Sequence, residues 1–291
     1  MNILVTGASG YIGYHLIQKL VLNDNDIIYG LSRNAVKIKA PNFKHLNIDL
    51  LQQDFVNLLP QNIDLVFHLA QSNEYRNFPE KAVDIFSINV YSTQLLAEWC
   101  RKNYVKKFFF TSSGNVYKQQ AKLLNEKDTC DPDGFYGSCK YASEILLKPY
   151  SEFFQVSILR IFGVYGPEQQ KMVIPNIIER VKSESEITMA QNAGLYFTPL
   201  FIDDCVEMIM GLEKTIKDKF SVFNLSGDIR TSIKEIAEIT GEILHIKPNL
   251  KTTQNSIVYL MGDNEKVKKQ IGYSSFISLR YGMEKMLKPV I

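Results

Sequence analysis

Ile3-Leu4-Val5-Thr6-Gly7-Ala8-Ser9-Gly10-Tyr11-Ile12-Gly13 runs a continuous apolar strand pattern directly into glycines at 7, 10 and 13. Apolar residues then recur at helical spacing, at Ile12, Leu16, Ile17 and Leu20. Such a strand–turn–helix start has a chemical use. Gly7 permits the tight turn, Gly10 lets the backbone approach a pyrophosphate, and Gly13 lets the helix lie close to the strand. The free N–H groups of the first helical turn, around Ser9, Tyr11 and Ile12, favour an anion there.

The same alternation continues outward from this loop. Strands are predicted at Asp26–Leu31, Phe43–Ile48, Asp64–His68, Lys107–Thr111 and Val156–Arg160, and helices at Pro79–Lys102 and Tyr136–Phe154. Pro149 is expected to bend or end the last helix. Repeated strand–helix units with uninterrupted apolar strands predict an α/β fold, a Rossmann-type doubly wound parallel sheet. The second half is less regular. It reads as helices at Ile174–Ser183, Asp203–Leu212, Ser232–Leu244 and Asp263–Ile271, with a strand at Ser221–Leu225. Ser232 and Glu235 form a capping-box pair. The expected organisation is a dinucleotide-binding domain over 1–165, to which 201–226 returns, and a smaller C-terminal α/β substrate-binding part over 166–200 and 227–291.

Composition narrows the function classes. The 291 residues carry 33 basic and 31 acidic side chains, and 45% are hydrophobic. No long basic block is present, which argues against nucleic acid. No apolar run approaches the roughly 20 residues that span a bilayer. Met1-Asn2-Ile3-Leu4-Val5 lacks the charged and apolar regions of a signal peptide, and Cys100, Cys130, Cys139 and Cys205 have no metal or disulfide spacing. A cytoplasmic enzyme without metal is expected.

Several strand ends carry candidate cofactor residues. Ser32-Arg33 ends the second strand without an acid to meet ribose hydroxyls, and Arg33 suits a 2′-phosphate. This favours NADP over NAD. Asp49 and Leu50 follow the third strand. Leu69, Ala70 and Gln71 follow the fourth, with His68 read as a hydrogen-bonded core residue. Asn89 and Thr111 complete this group.

Tyr136 and Lys140 are four residues apart, so a helix puts both on one face. A phenol is a poor base at neutral pH, and a nearby ammonium lowers its pKa. Ser113, at the end of the fifth strand, is placed to bond the same substrate oxygen, so the three form the catalytic candidate. With these motifs, and with Asn89-Val90, Phe110–Tyr117, Arg160–Pro167 and Phe201-Ile202-Asp203-Asp204, the chain resembles the NAD-dependent epimerase/dehydratase family of extended short-chain dehydrogenases/reductases. The resemblance implies that Ser113 and Tyr136 contact the reacting hydroxyl and that Lys140 holds the nicotinamide ribose. It also implies that Phe162 and Val164 lie near the nicotinamide, that the C-terminal part binds a nucleoside-diphosphate sugar, and that the helices near 80–101 and 137–153 form a homodimer interface.

Departures from that family refine the expectation. Its 4,6-dehydratases carry an acidic pair after the catalytic Ser/Thr; this chain has Gly114 and Asn115, which argues against water elimination. Gly163 stands where many relatives have Asn. No Arg precedes Asp203-Asp204 to grip a diphosphate, which leaves Arg76, Lys171 or Arg230 for that task. Asn73, Tyr75 and Arg76 are further substrate candidates. Because the second strand ends without an acid, the leading expectation is an NADPH-dependent keto-sugar reductase with Tyr136 as proton donor. A UDP-glucose 4-epimerase-like enzyme with tightly held NAD is the alternative, and a non-catalytic dinucleotide-sensing protein is a third reading that retention of Ser113, Tyr136 and Lys140 argues against.

Overall fold

The structure, a computed structural model, describes residues 1–273 and 276–287. In chain order the elements begin β1 (Asn2–Thr6), α1 (Tyr11–Leu20), β2 (Ile27–Ser32), β3 (Phe43–Asn47), β4 (Leu65–His68), α2 (Ala82–Phe86) and α3 (Ser92–Lys102). They continue with β5 (Lys107–Ser113), α4 (Phe135–Leu147), β6 (Gln155–Ile161), β7 (Val164–Tyr165), α5 (Val173–Lys182), β8 (Ile187–Ala190), β9 (Leu195–Phe197) and β10 (Leu200–Phe201). The last are α6 (Ile202–Thr215), β11 (Phe220–Leu225), β12 (Thr231–Ser232), α7 (Ile233–Leu244), β13 (Leu250–Thr253), β14 (Val258–Leu260), α8 (Glu265–Ile271) and α9 (Leu279–Leu287).

Seven strands form the main sheet in the order β11-β6-β5-β4-β1-β2-β3. The pairings β1–β2, β1–β4, β2–β3 and β4–β5 are parallel. The strand order reverses between β1 and β4, so the chain leaves both strands at one point of the sheet edge. Ligands of open α/β sheets bind at such a switch point. Leu4, Val66, Phe108, Phe110, Val156 and Ile158 are fully buried on these strands. Burial on both sheet faces explains why the strands read as continuous apolar runs.

The described residues cluster into two compact units. One comprises 1–118, 129–160 and 214–223; the other comprises 119–128, 161–213 and 224–291, of which 274–275 and 288–291 lie outside the described residues. The first unit holds most of the main sheet. The second contains three small sheets: β7 with β10, β12-β9-β14, and β8 with β13. None of these short strands was predicted. They are two to four residues long, too short for a period of two to stand out in the sequence, and β13 buries no residue fully.

Two helices differ from expectation. The stretch predicted as one helix over Pro79–Lys102 begins only at Ala82 and carries a π turn at Ser87–Tyr91. The Asn89 carbonyl there accepts from the Thr93 and Ser143 hydroxyls, both at 2.7 Å, and single π turns of this kind occur often at functional sites. The helix predicted over Tyr136–Phe154 ends as α-helix at Leu147. A 3₁₀ segment with proline near its start, Lys148–Glu152, follows, as Pro149 requires. In the second unit the Ser232/Glu235 capping box forms, with reciprocal bonds of 2.7 and 3.2 Å. Asp204 accepts the Tyr273 hydroxyl at 2.5 Å and the Ile277 N–H at 3.0 Å, so this buried acid anchors its own unit. Among the described residues no helix is long and apolar enough to cross a membrane.

Candidate active site

The glycine loop is built by close backbone approach. Gly7 has φ 72°, a left-handed conformation. A Cβ at Gly7 would fall 2.8 Å from the Ala70 nitrogen, and one at Gly13 would fall 2.3 Å from the Gly7 carbonyl oxygen. The turn after β1, the end of β4 and the start of α1 therefore meet with no room for a side chain. Gly10 caps α1 without a side-chain hydrogen bond, and no acid occupies the first turn. That cradle fits a dinucleotide pyrophosphate, which the Ser9, Tyr11 and Ile12 backbone could hold.

At the end of β2 the Ser32 hydroxyl donates to the Asn34 carbonyl at 2.8 Å and lies 3.0 Å from His45 Nε2. Arg33 is exposed. Past β3, an Asp49 carboxylate oxygen accepts the Leu51 N–H at 3.0 Å, and Leu50 is buried.

His68 is a core residue. Its ring nitrogens lie 2.6 Å from the Thr6 hydroxyl and 2.9 Å from the Thr93 hydroxyl. Thr93 donates onward to the Asn89 carbonyl, so Nε2 of His68 carries the hydrogen and Nδ1 accepts from Thr6. Burial, aided by the charge of Lys140, holds His68 at about 3. It is neutral at neutral pH.

The catalytic candidates converge. Ser113 accepts the Asn115 N–H at 3.2 Å, and its hydroxyl is near enough to Tyr136 to favour the ionised phenol. Tyr136 in turn donates to the Gln71 side-chain oxygen at 2.8 Å. Lys140 is buried, donates to the Thr111 carbonyl at 2.9 Å, and lies 5.9 Å from the Tyr136 ring centroid. Gly137 makes this possible. A Cβ there would fall 2.3 Å from the Asn115 carbonyl oxygen, so only glycine lets α4 press its first turn against the loop after β5.

Electrostatics keep the phenol protonated. Burial and then the neighbouring Tyr75 phenol push Tyr136 above its ordinary value, and only the Ser113 hydrogen bond opposes them. Burial pushes Lys140 down to about 7. One turn further along α4, the Glu144 carboxylate accepts Arg160 in a forked pair with bonds of 3.0 and 2.6 Å, both side chains being buried. The same carboxylate accepts the Ser112 hydroxyl. Glu144 was not predicted, although its position four residues after Lys140 places it on the same helix face.

The loop after β4 lies over this group. The Ser72 N–H donates to the Asn89 side-chain oxygen at 3.1 Å, and the Ser72 hydroxyl bonds Asp84. Tyr75 packs on Tyr136 with ring centroids 5.1 Å apart, and the Arg76 guanidinium lies over Tyr75. Asn73 is exposed. Gln71, expected as a cofactor contact, accepts the Tyr136 hydroxyl. The remaining candidates belong to the second unit. Phe162 is buried against Gly262, Val164 lies in β7, and Lys171 has a left-handed backbone. Gly163 has φ 46°, a left-handed conformation that glycine adopts without strain. Arg230 sits 4.8 Å over Tyr196, which stacks on Tyr259. Among the described residues no group of three or more His, Cys, Asp or Glu is placed to hold a metal.

Comparison with known proteins gives these features a context. The model of the NAD dependent epimerase/dehydratase family matches residues 3–225. The uncharacterized UDP-glucose epimerase YtcB of Bacillus subtilis is 26% identical, covering 97% of this chain and 96% of that protein. The human dTDP-D-glucose 4,6-dehydratase is 27% identical, over 89% of this chain and 78% of that one. The crystal structure of UDP-glucuronic acid 4-epimerase from Bacillus cereus, in complex with UDP-glucuronic acid and NAD, superposes with a TM-score of 0.89. It is 27% identical and covers 98% of each chain.

Proposed function

The chain belongs to the NAD dependent epimerase/dehydratase family, and on that premise we propose that it is an NAD-dependent 4-epimerase of a UDP-sugar. The observation that carries this reading is the convergence of Ser113, Tyr136 and Lys140 beside a loop that has no acid to drive elimination. Gly114 and Asn115 make a short 3₁₀ turn after Ser113, and neither can serve as the extra acid or base of a dehydratase. The relatives favour this epimerase reading over the keto-sugar reductase that the end of β2 suggests.

In the proposed reaction Tyr136 takes the proton of the sugar hydroxyl and later returns one to the keto sugar's oxygen. Ser113 donates to that same oxygen and fixes its distance from the phenol. Lys140, kept in place by the Thr111 carbonyl, would hold the ribose of a bound cofactor. The backbone of Gly7–Gly13 holds the pyrophosphate. When bound, an oxidised nicotinamide would supply hydride chemistry and a positive charge that favours the phenolate. Lys171 and Arg230 of the second unit are the cationic candidates for holding a sugar nucleotide.

Incubating the protein with UDP-glucuronic acid or UDP-glucose and NAD tests this reading. Appearance of the 4-epimer with no net cofactor consumption supports it. Stoichiometric NADPH oxidation with a UDP-4-keto sugar supports the reductase instead. One observation favours that second reading: exposed Arg33 is suited to a 2′-phosphate. Arg33→Ala separates the cofactors, since it weakens NADP alone if the arginine grips the phosphate. A second copy of the chain is the expected partner, docking through exposed Val83 and Phe86 of α2 and Ile145 of α4; light scattering on the purified protein gives its oligomeric state.

A further inference from the structure

Gln71 stands outside the three residues that carry the proposed chemistry, yet its side chain is bonded to the reacting phenol. Two hydrogen bonds define the surroundings of the phenol: the Asn115 N–H donates to Ser113 Oγ, and the Tyr136 hydroxyl donates to Gln71 Oε1. The phenolic proton therefore points at Gln71. The loop that presents Gln71 is anchored at the next residue. The Ser72 N–H is held by Asn89 Oδ1, the Ser72 hydroxyl by Asp84, and the Glu74 N–H by Ser72 Oγ. Tyr75, from the same loop, closes over the Tyr136 ring.

An amide has two faces. Its oxygen accepts from a phenol, and after a half-turn its NH₂ donates to a phenolate. Gln71 is exposed, and its bond to Tyr136 is the only one its side chain makes among the described residues, so nothing else fixes its orientation. We propose that Gln71 is a positioning residue for the proton step. Its amide holds the Tyr136 oxygen against Ser113 in both protonation states and turns over as the proton leaves. This rests on Tyr136 acting as the proton carrier in the proposed reaction.

The sign of its effect follows. A bond from N–H to a phenolate is charge-assisted and roughly twice as strong as one from a phenol to a carbonyl oxygen. Gln71 therefore favours the ionised phenol more than the neutral one. A carboxylate at the same place accepts from the phenol, cannot donate to the phenolate, and adds a like charge.

The test is a spectrophotometric titration of phenolate in the full-length protein saturated with NAD, with the Tyr136→Phe variant identifying the Tyr136 transition. Calorimetry first establishes NAD binding. Gln71→Ala and Gln71→Leu are both expected to raise the Tyr136 midpoint, by roughly one unit, and Gln71→Glu to raise it further. If the protein does not bind NAD, the functional reading and this inference fall together. If NAD binds and the midpoints of the alanine and leucine variants equal or fall below wild type, the inference alone is overturned. A wild-type phenol that never ionises in the folded range overturns it as well.

Discussion

Replacing Gly137 by alanine puts a methyl group where the helix carrying Tyr136 touches the loop carrying Ser113. The added Cβ falls 2.3 Å from the Asn115 carbonyl oxygen and 3.0 Å from the Cβ of Pro132. Packed atoms do not tolerate such approach. Restoring a closest contact of 3.0 Å requires the two segments to part by about 0.7 Å. Neither obstacle is the end of a flexible side chain, so the movement must be in the backbone. Overpacking of this kind costs about 1–3 kcal/mol. Alanine in place of glycine within a helix returns about 1 kcal/mol, so the net loss of stability is about 0–2 kcal/mol. The catalytic loss is larger, because a displacement of about 1 Å between reacting groups costs on the order of 100-fold in rate. Gly134→Ala is the internal control: Gly134 caps the same helix, yet an added Cβ there meets nothing within 4 Å. Thermal melts and kcat with UDP-glucuronic acid, measured on both variants, give the comparison. A Gly137→Ala enzyme with wild-type turnover, or a Gly134→Ala enzyme equally impaired, refutes the claim that this contact sets the Ser113–Tyr136 distance.

Glu144→Gln leaves the Arg160 guanidinium buried without its counter-charge and is expected to cost about 3–5 kcal/mol in denaturant unfolding; adding Arg160→Met should recover most of that loss. Burial pushes Lys140 down to about 7 in the fold from its ordinary 10.5. Between those values the unfolded chain binds more protons, so this group destabilises the fold at and below neutral pH, and the penalty is relieved as pH rises from 7 towards 10.5. Its size is on the order of a few kcal/mol. Lys140→Met should therefore be more stable than wild type at pH 7, with the difference shrinking in melts at higher pH. His68 has the same sign at lower pH: burial holds it at about 3 in the fold against an ordinary 6.5, so stability is lost as pH falls from 6.5 towards 3. His68→Gln should flatten that acid slope, lose roughly 1–3 kcal/mol at pH 7 with the broken hydrogen-bond relay, and retain the wild-type pH profile of kcat.

The local order of the chain was legible in its residues. A strand that enters a glycine-spaced turn and then a helix specifies one folding unit, and its repetition specifies a parallel sheet, because periodicity depends only on near neighbours. Tyr136 and Lys140 share a helix face by spacing alone, and the bonds of the Ser232/Glu235 cap span three residues. Tertiary structure decided what no period links. It set the phenol of Tyr136 against the amide of Gln71, 65 residues earlier, and paired Glu144 with Arg160 across a helix and a strand. It also assigned Gly137 its role, since the Asn115 carbonyl that excludes a side chain there arrives from a distant loop. The π turn at Asn89 has the same origin: its displaced carbonyl is partly satisfied by Ser143 of another helix, and that partner exists only once the helices have packed.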